Sequence, residues 1–251
     1  YAVANGFIDQ KDVNLKDFSP ADVYSPSPWV HSSRREWRGL DLLAPSQKFN
    51  PSLEYYPKSV KPDNKVSVHD VFKIMGDWME GTPYDLSKGV GAGPWGNPLR
   101  YTNKSKENPK AEWIRSFNMH RTAYVFIAQI SSDTKLPKEV RGIAWYGYGA
   151  ADTTYLTPLW PIMKQLPAFY QTGTRYEDFR RDSGWWVNTY VQQMADMRYQ
   201  PARKVIHAAR DPKLFDLYQT APVIQQKAGE LIKAGKREEA QSLGYTVVDA
   251  S

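Results

Sequence analysis

The chain has 251 residues, 41% hydrophobic and 24% charged, enough to bury a core as one large domain or as part of a larger one. Its 33 basic and 27 acidic residues leave a net charge of +6. They are interleaved, without the block of like charges that marks a nucleic-acid arm, and read as a solvated surface. The absence of cysteine excludes disulfides, thiolate metal sites and a cysteine nucleophile within these residues.

No run of about 18 apolar residues suggests a membrane span. Residues 1–8, YAVANGFI, read as a short buried strand, as though the chain were cut from something longer. Residues 9–33 are polar and punctuated by Pro20, Pro26 and Pro28, so a loop is expected, with one helical turn after Ser19. A helix beginning near Ser32 follows, with Ser as N-cap and Glu36 in the early turns. After a Pro-rich loop over 44–66, Ser67 and Asp70 form an S-x-x-D start signal. Val71, Phe72, Met75, Trp78 and Met79 then share one helical face, and Gly81 is placed to end it.

Residues 122–130 and 140–148 are apolar, β-branched and aromatic, joined by a polar turn containing Pro137. They predict an antiparallel hairpin buried on both faces. Residues 150–180 read as irregular. From Gly184 the pattern turns helical, with Pro201 as an interruption and a second helix stopping before Pro212. The stretch from Pro222 to Leu243 is charged, amphipathic and helical, and residues 221–251 are expected to form a peripheral tail of a single domain spanning 1–251. The class is α+β.

Between the helix and the hairpin lies Glu80 to Arg100, EGTPYDLSKGVGAGPWGNPLR. Glycines and prolines exclude regular structure there, and with Tyr101 to Pro109 the run reaches about 30 residues, against a usual connection of roughly 4–6. Loops this long are functional or disordered, and Tyr84, Leu86, Val90, Trp95 and Leu99 offer anchors against disorder.

The residues Gly81-Thr82-Pro83-Tyr84-Asp85, Gly93-Pro94 and Asn97-Pro98-x-Arg100 resemble the PepD-like dipeptidase family of N-terminal-nucleophile (Ntn) hydrolases. The likeness continues through Arg121-Thr122-x-Tyr124, Gly142-Ile-Ala-Trp145-Tyr-Gly147 and Tyr155-x-x-Pro158, in the family's order over most of residues 1–200. It implies the αββα sandwich of that superfamily, of which this chain would supply the C-terminal part. It also implies a hydrolase acting on short peptides through an N-terminal Cys, with the α-amine as general base. Position 1 is Tyr, so the nucleophile is expected on an upstream segment, and the chain alone is expected to be catalytically silent.

By the same resemblance Asn5, in Val3-Ala4-Asn5, is the candidate oxyanion donor. The alternative is a strand-end cap before Gly6. Arg35, then Arg34, are candidates for the arginine beside the nucleophile, against a reading as surface ion-pair partners. In the loop, Asp85 and Arg100 are candidates for the charged ends of a peptide, with Tyr84 and Trp95 beside them. Against this stands an Asx-turn at Asp85, closed by Arg100.

The four histidines, 31, 69, 120 and 207, lack zinc spacing, and no Walker, G-x-S-x-G or G-x-G-x-x-G element supports a cofactor. The rival function is an inactive relative that binds peptides or sugars on a platform of Trp95, Trp145, Trp185 and Trp186. A soluble bacterial protein is expected, with the compartment left open and a secreted or periplasmic place favoured over the cytoplasm. Homo-oligomerisation stays open.

Overall fold

The computed structural model describes residues 1–14, 18–24, 30–53, 55–99 and 114–249. It divides into two compact units, Tyr1–Lys61 and Pro62–Ser251.

In the first unit the strand expected over residues 1–8 is replaced by consecutive turns. The amides of Asn5, Gly6 and Phe7 bond back to the carbonyls of Tyr1, Val3 and Ala2, and Gly6 takes φ +71°. That left-handed angle is open to glycine and turns the chain back before a strand can extend. Helix α1 (Pro20–Tyr24) is followed by α2 (Val30–Leu43), which already includes Val30, two residues before the expected cap. The Trp37 indole N–H donates to the Phe49 carbonyl at 2.8 Å, and the Tyr56 hydroxyl to that of Asn50 at 2.6 Å, fixing the segment after α2.

The second unit opens with α3 (Val68–Met75), started by the capping box that the sequence announces. Asp70 N–H bonds to Ser67 Oγ at 3.2 Å, and Ser67 N–H to Asp70 Oδ2 at 2.9 Å. The helix ends at Gly76, a turn earlier than Gly81. Asp77 is the reason: its Oδ1 takes the Met79 amide at 2.8 Å in an Asx turn and pulls Met79 to φ +71°.

The hairpin forms as expected, from β1 (Tyr124–Ile130) and β2 (Gly142–Tyr148), antiparallel with Ile127 opposite Trp145. A short third strand, β3 (Thr157–Leu159), lies in the stretch read as irregular and pairs antiparallel with β2. At three residues, one of them Pro158, it is too short to show alternation. Gly147 is required by close approach, since a Cβ there would lie 2.4 Å from the Tyr155 carbonyl oxygen.

One face of the sheet packs on helices: Val125, Ile127, Ile143 and Trp145 join Phe72, Leu156, Leu214 and Leu217 in the core. The other face is not covered as expected. Tyr124, Phe126 and Ile130 are 56%, 50% and 79% exposed. A continuous apolar run thus hides an alternation of buried and open positions.

After α4 (Ala168–Gln171) comes α5 (Gly184–Met197), capped by Ser183, whose Oγ accepts the Trp186 amide. Helix α6 (Tyr199–Lys233) then runs through Pro212, before which a stop had been expected, and on through Pro222. Each proline removes one ladder bond. The buried stripe Leu214, Leu217, Ala221, Gln225 and Ala228 holds the helix on the core across both breaks. Helix α7 (Arg237–Asp249) follows a turn at Gly235, and Ala240 is buried against the same core. The tail is an outer layer that contributes an inner face to the core. The architecture is α+β, with a small three-stranded antiparallel sheet and several helices.

Candidate functional site

Over residues 80–99 the long loop after α3 is held by bonds that its own residues dictate. Thr82 Oγ1 donates to the Met79 carbonyl at 2.8 Å and accepts the Tyr84 amide at 3.1 Å. Asp85 Oδ1 takes the Ser87 amide at 2.8 Å and the Ser87 hydroxyl at 2.6 Å, while Oδ2 takes the Gly81 amide at 3.3 Å. Gly81 sits at φ +73°, a backbone requirement, since nothing would crowd a Cβ. Gly81 to Asp85 is therefore two linked turns, closed by the last residue on the first.

The second half is tied to the joint between α5 and α6. Asn97 accepts the Leu99 amide at 2.9 Å and donates to the Asp196 carbonyl at 3.1 Å. Gln200 Nε2 donates to the Gly96 carbonyl at 2.9 Å, and the Arg198 guanidinium lies 4.3 Å from the centre of the Trp95 ring.

Beneath the loop's start is a buried polar hub centred on Asp152, which is 4% exposed. Its carboxylate accepts from the Tyr199 hydroxyl at 2.8 Å and from Arg203 Nε at 3.0 Å to both oxygens. His207 Nε2 lies 3.0 Å from Asp152 Oδ1 and 2.9 Å from its carbonyl oxygen; both neighbours are acceptors, so this nitrogen carries the proton. Arg210 donates to the carbonyls of Asp152 at 2.8 Å and Thr154 at 3.1 Å. Asn118 closes the network, accepting the Asp152 amide at 3.2 Å and donating to the Tyr199 hydroxyl at 3.3 Å.

Burial alone would favour neutral Asp152. The His207 hydrogen bond and the charges of Arg203 and His207 outweigh it and hold the carboxyl below the ordinary range. Arg203 also reaches Glu80 at 3.4 Å and stacks on Trp78, 4.5 Å from the ring centre. Desolvation pushes the Glu80 carboxyl upward, against the pull of Arg203. The Trp78-Met79-Glu80 corner thus connects the hub to the loop.

The candidate residues fall in both units. Asn5, Arg34 and Arg35 belong to the first, and Asp85, Tyr84 and Trp95 to the second. Asn5 lies in an exposed turn, its amide donating to the Tyr1 carbonyl at 2.9 Å, and not on a strand. Arg34 is buried and Arg35 half-buried on α2. Asp85 makes the Asx turn, with both oxygens engaged, and Arg100 lies outside the described residues. The four-tryptophan platform does not form: Trp145 is 1% exposed, because its indole fills the core beneath β2.

The hub went unread in the sequence. Asp152 falls in a stretch without period, but Arg203, His207 and Arg210 recur at helical spacing and form a legible stripe.

The profile of Peptidase family C69 matches residues 2–211. The chain belongs to that family. Among curated proteins it is similar to a dipeptidase of Bifidobacterium longum, 21% identical over 81% of this chain and 37% of that protein. It is also similar to probable dipeptidase A of Streptococcus pyogenes, 26% identical over 61% of this chain and 30% of the other. Probable dipeptidase B of Lactococcus lactis is 23% identical over 68% and 32%. The chain therefore spans about a third of the length of the curated relatives it matches.

Proposed function

We propose that this chain is part of a dipeptidase that hydrolyses short peptides through an N-terminal cysteine carried on a segment upstream of residue 1. The observation that carries the reading is the family match together with the rigid Gly81–Asp85 loop, which Glu80, Arg203 and Asp152 anchor to the fold. In this mechanism the free α-amine, with an ordinary pKa near 8, takes the thiol proton. The thiolate attacks the peptide carbonyl, and the C–N bond breaks as the leaving amine takes the proton back from the α-ammonium. Water then hydrolyses the thioester to free the acid and the thiol. Asn5 is the proposed oxyanion donor, and Arg35 or Arg34 the cation beside the nucleophile. Tyr84, Trp95, Asp85 and Arg100 are the proposed substrate-binding residues, Asp85 by holding the loop's shape.

The exposed apolar face of the sheet, with Tyr124, Phe126 and Ile130, is the area that a second β-layer of an αββα sandwich would cover. The chain holds no cysteine, so on this reading it is silent alone.

The test is intact mass and N-terminal sequencing of the natural gene product, with dipeptides assayed in parallel on that product and on the 251-residue chain. A species beginning with Cys that cleaves dipeptides supports the proposal. Hydrolysis by the 251-residue chain alone refutes the cysteine mechanism. A sole product starting at Tyr1 that binds peptides without cleaving them establishes the inactive, peptide-binding alternative.

A further inference from the structure

The backbone phase of β1 is set by its pairing. The Ser131 amide bonds to the Arg141 carbonyl and the Gly149 amide to the Ala123 carbonyl, in the register that places Tyr124 opposite Tyr148. Odd-numbered residues of β1 therefore exchange hydrogen bonds with β2, and Tyr124, Phe126, Ala128 and Ile130 turn their N–H and C=O groups to the outer edge. The sheet order β1-β2-β3 places no described strand on that edge.

Beside the same edge lies a hollow of about 590 Å³ between α3, β1 and α6, bordered on β1 by Ile127 to Ile130. Its volume falls within the roughly 300–1,000 Å³ of small-ligand sites. Its inner wall carries the half-buried ring of Tyr218, 5.6 Å from that of His69 and 5.1 Å from that of the buried Trp145. Phe215 and Ile130 stand exposed at the rim. Among the described residues no carboxylate, lysine or arginine lines it, so a charged side chain would be desolvated there without a partner.

We propose that this hollow is a peptide-binding site, in which a short extended peptide adds as an antiparallel strand to the outer edge of β1 and seats an aromatic side chain between α3 and α6. Strand geometry fixes the arrangement. Peptide residues opposite Ala128 and Ile130 exchange backbone hydrogen bonds with β1, and their side chains lie on the open face with those of Ala128 and Ile130. The residue between them, opposite Gln129, points its side chain to the helical side, towards Tyr218. The occupant is thus a tripeptide unit with a central uncharged aromatic residue, recognised by β-strand addition. The site uses neither the Gly81–Asp85 loop nor a cysteine, so it stands apart from the hydrolytic reading.

The test uses the isotopically labelled natural gene product and the blocked peptide acetyl-Val-Phe-Val-amide, with binding followed by the NMR shifts of the Ala128 and Ile130 amides and the Trp145 indole. Saturable shifts at these groups are expected. N-methylation of both valines, which removes the donors facing β1 and leaves the protein untouched, is expected to weaken binding about tenfold or more. Replacing the peptide's Phe by Asp is expected to do the same. The variant Ala128→Pro, which removes an outward amide where edge strands tolerate proline, should match the N-methylated peptide.

The proposal is overturned if millimolar peptide moves none of these signals, or if the N-methylated and Asp peptides bind as well as the parent. It is overturned equally if the Phe126, Ala128 and Ile130 amides already exchange slowly in the peptide-free chain, because a second copy or another strand then occupies the edge.

Discussion

Replacing Asp152 by Asn removes one charge and almost no volume from the hub, and so isolates the electrostatics. Tyr199 keeps an acceptor, but Arg203 and His207 lose the anion that they share at 3.0 Å. Breaking a buried ion pair costs about 3–5 kcal/mol where the remaining charge is stranded. Arg203 is 27% exposed and retains Glu80, so the expected loss is nearer about 2–3 kcal/mol. Urea unfolding monitored by tryptophan fluorescence measures it. The folded Asp152 carboxyl lies below its unfolded value, so its contribution is complete above about pH 4 and is lost as the pH falls through the lower folded value. The variant should therefore lose less stability than the parent between about pH 5 and pH 2. A loss below about 0.5 kcal/mol, with an unchanged acid slope, would show that the hub is incidental to the fold.

Gly147→Ala should destabilise by about 1–3 kcal/mol or more, because a rigid carbonyl at 2.4 Å blocks its methyl, whereas Gly142→Ala, meeting Pro161 Cγ at 3.6 Å, should change stability little. Comparative chemical denaturation of the two variants checks this. Ser67→Ala removes the α3 cap and should cost about 1 kcal/mol by the same measurement. Asp85→Ala should speed hydrogen exchange at the Gly81 and Ser87 amides while leaving Asp152 and its partners protected. Tyr146 is raised by desolvation to about 12, so its favourable contribution is complete below about pH 10 and lost as the pH rises towards the folded value, readable by phenolate absorbance beside the unfolding curve.

What the sequence discloses follows from how local each cause is. The α3 cap and the β1–β2 pairing rest on neighbouring residues and their period, and both stand as read. The end of α3 was misplaced because Asp77 competes for the backbone within two residues, an effect that helical periodicity does not register. Pro212 was weighed as a local breaker, whereas burial of Leu214, Leu217 and Ala221 on distant strands overrules it. Asp85 was legible as a turn former, since its bonds reach only Gly81 and Ser87. Asp152 was not, because its partners arrive from α6 and Asn118, far along the chain.

One helix performs two duties. The first turns of α6 hold Asp152 through Tyr199, Arg203 and His207, and receive the Gly96 carbonyl on Gln200; its later turns are buried among Trp145, Leu156 and Ala240. Glu80 and Gly96, near either end of the loop, are therefore fastened to an element that cannot be released without opening the core. Such a loop has no independent melting temperature. As the protein is heated, it should keep its shape until the whole unit unfolds, so loss of loop geometry and loss of the fold should be a single thermal event.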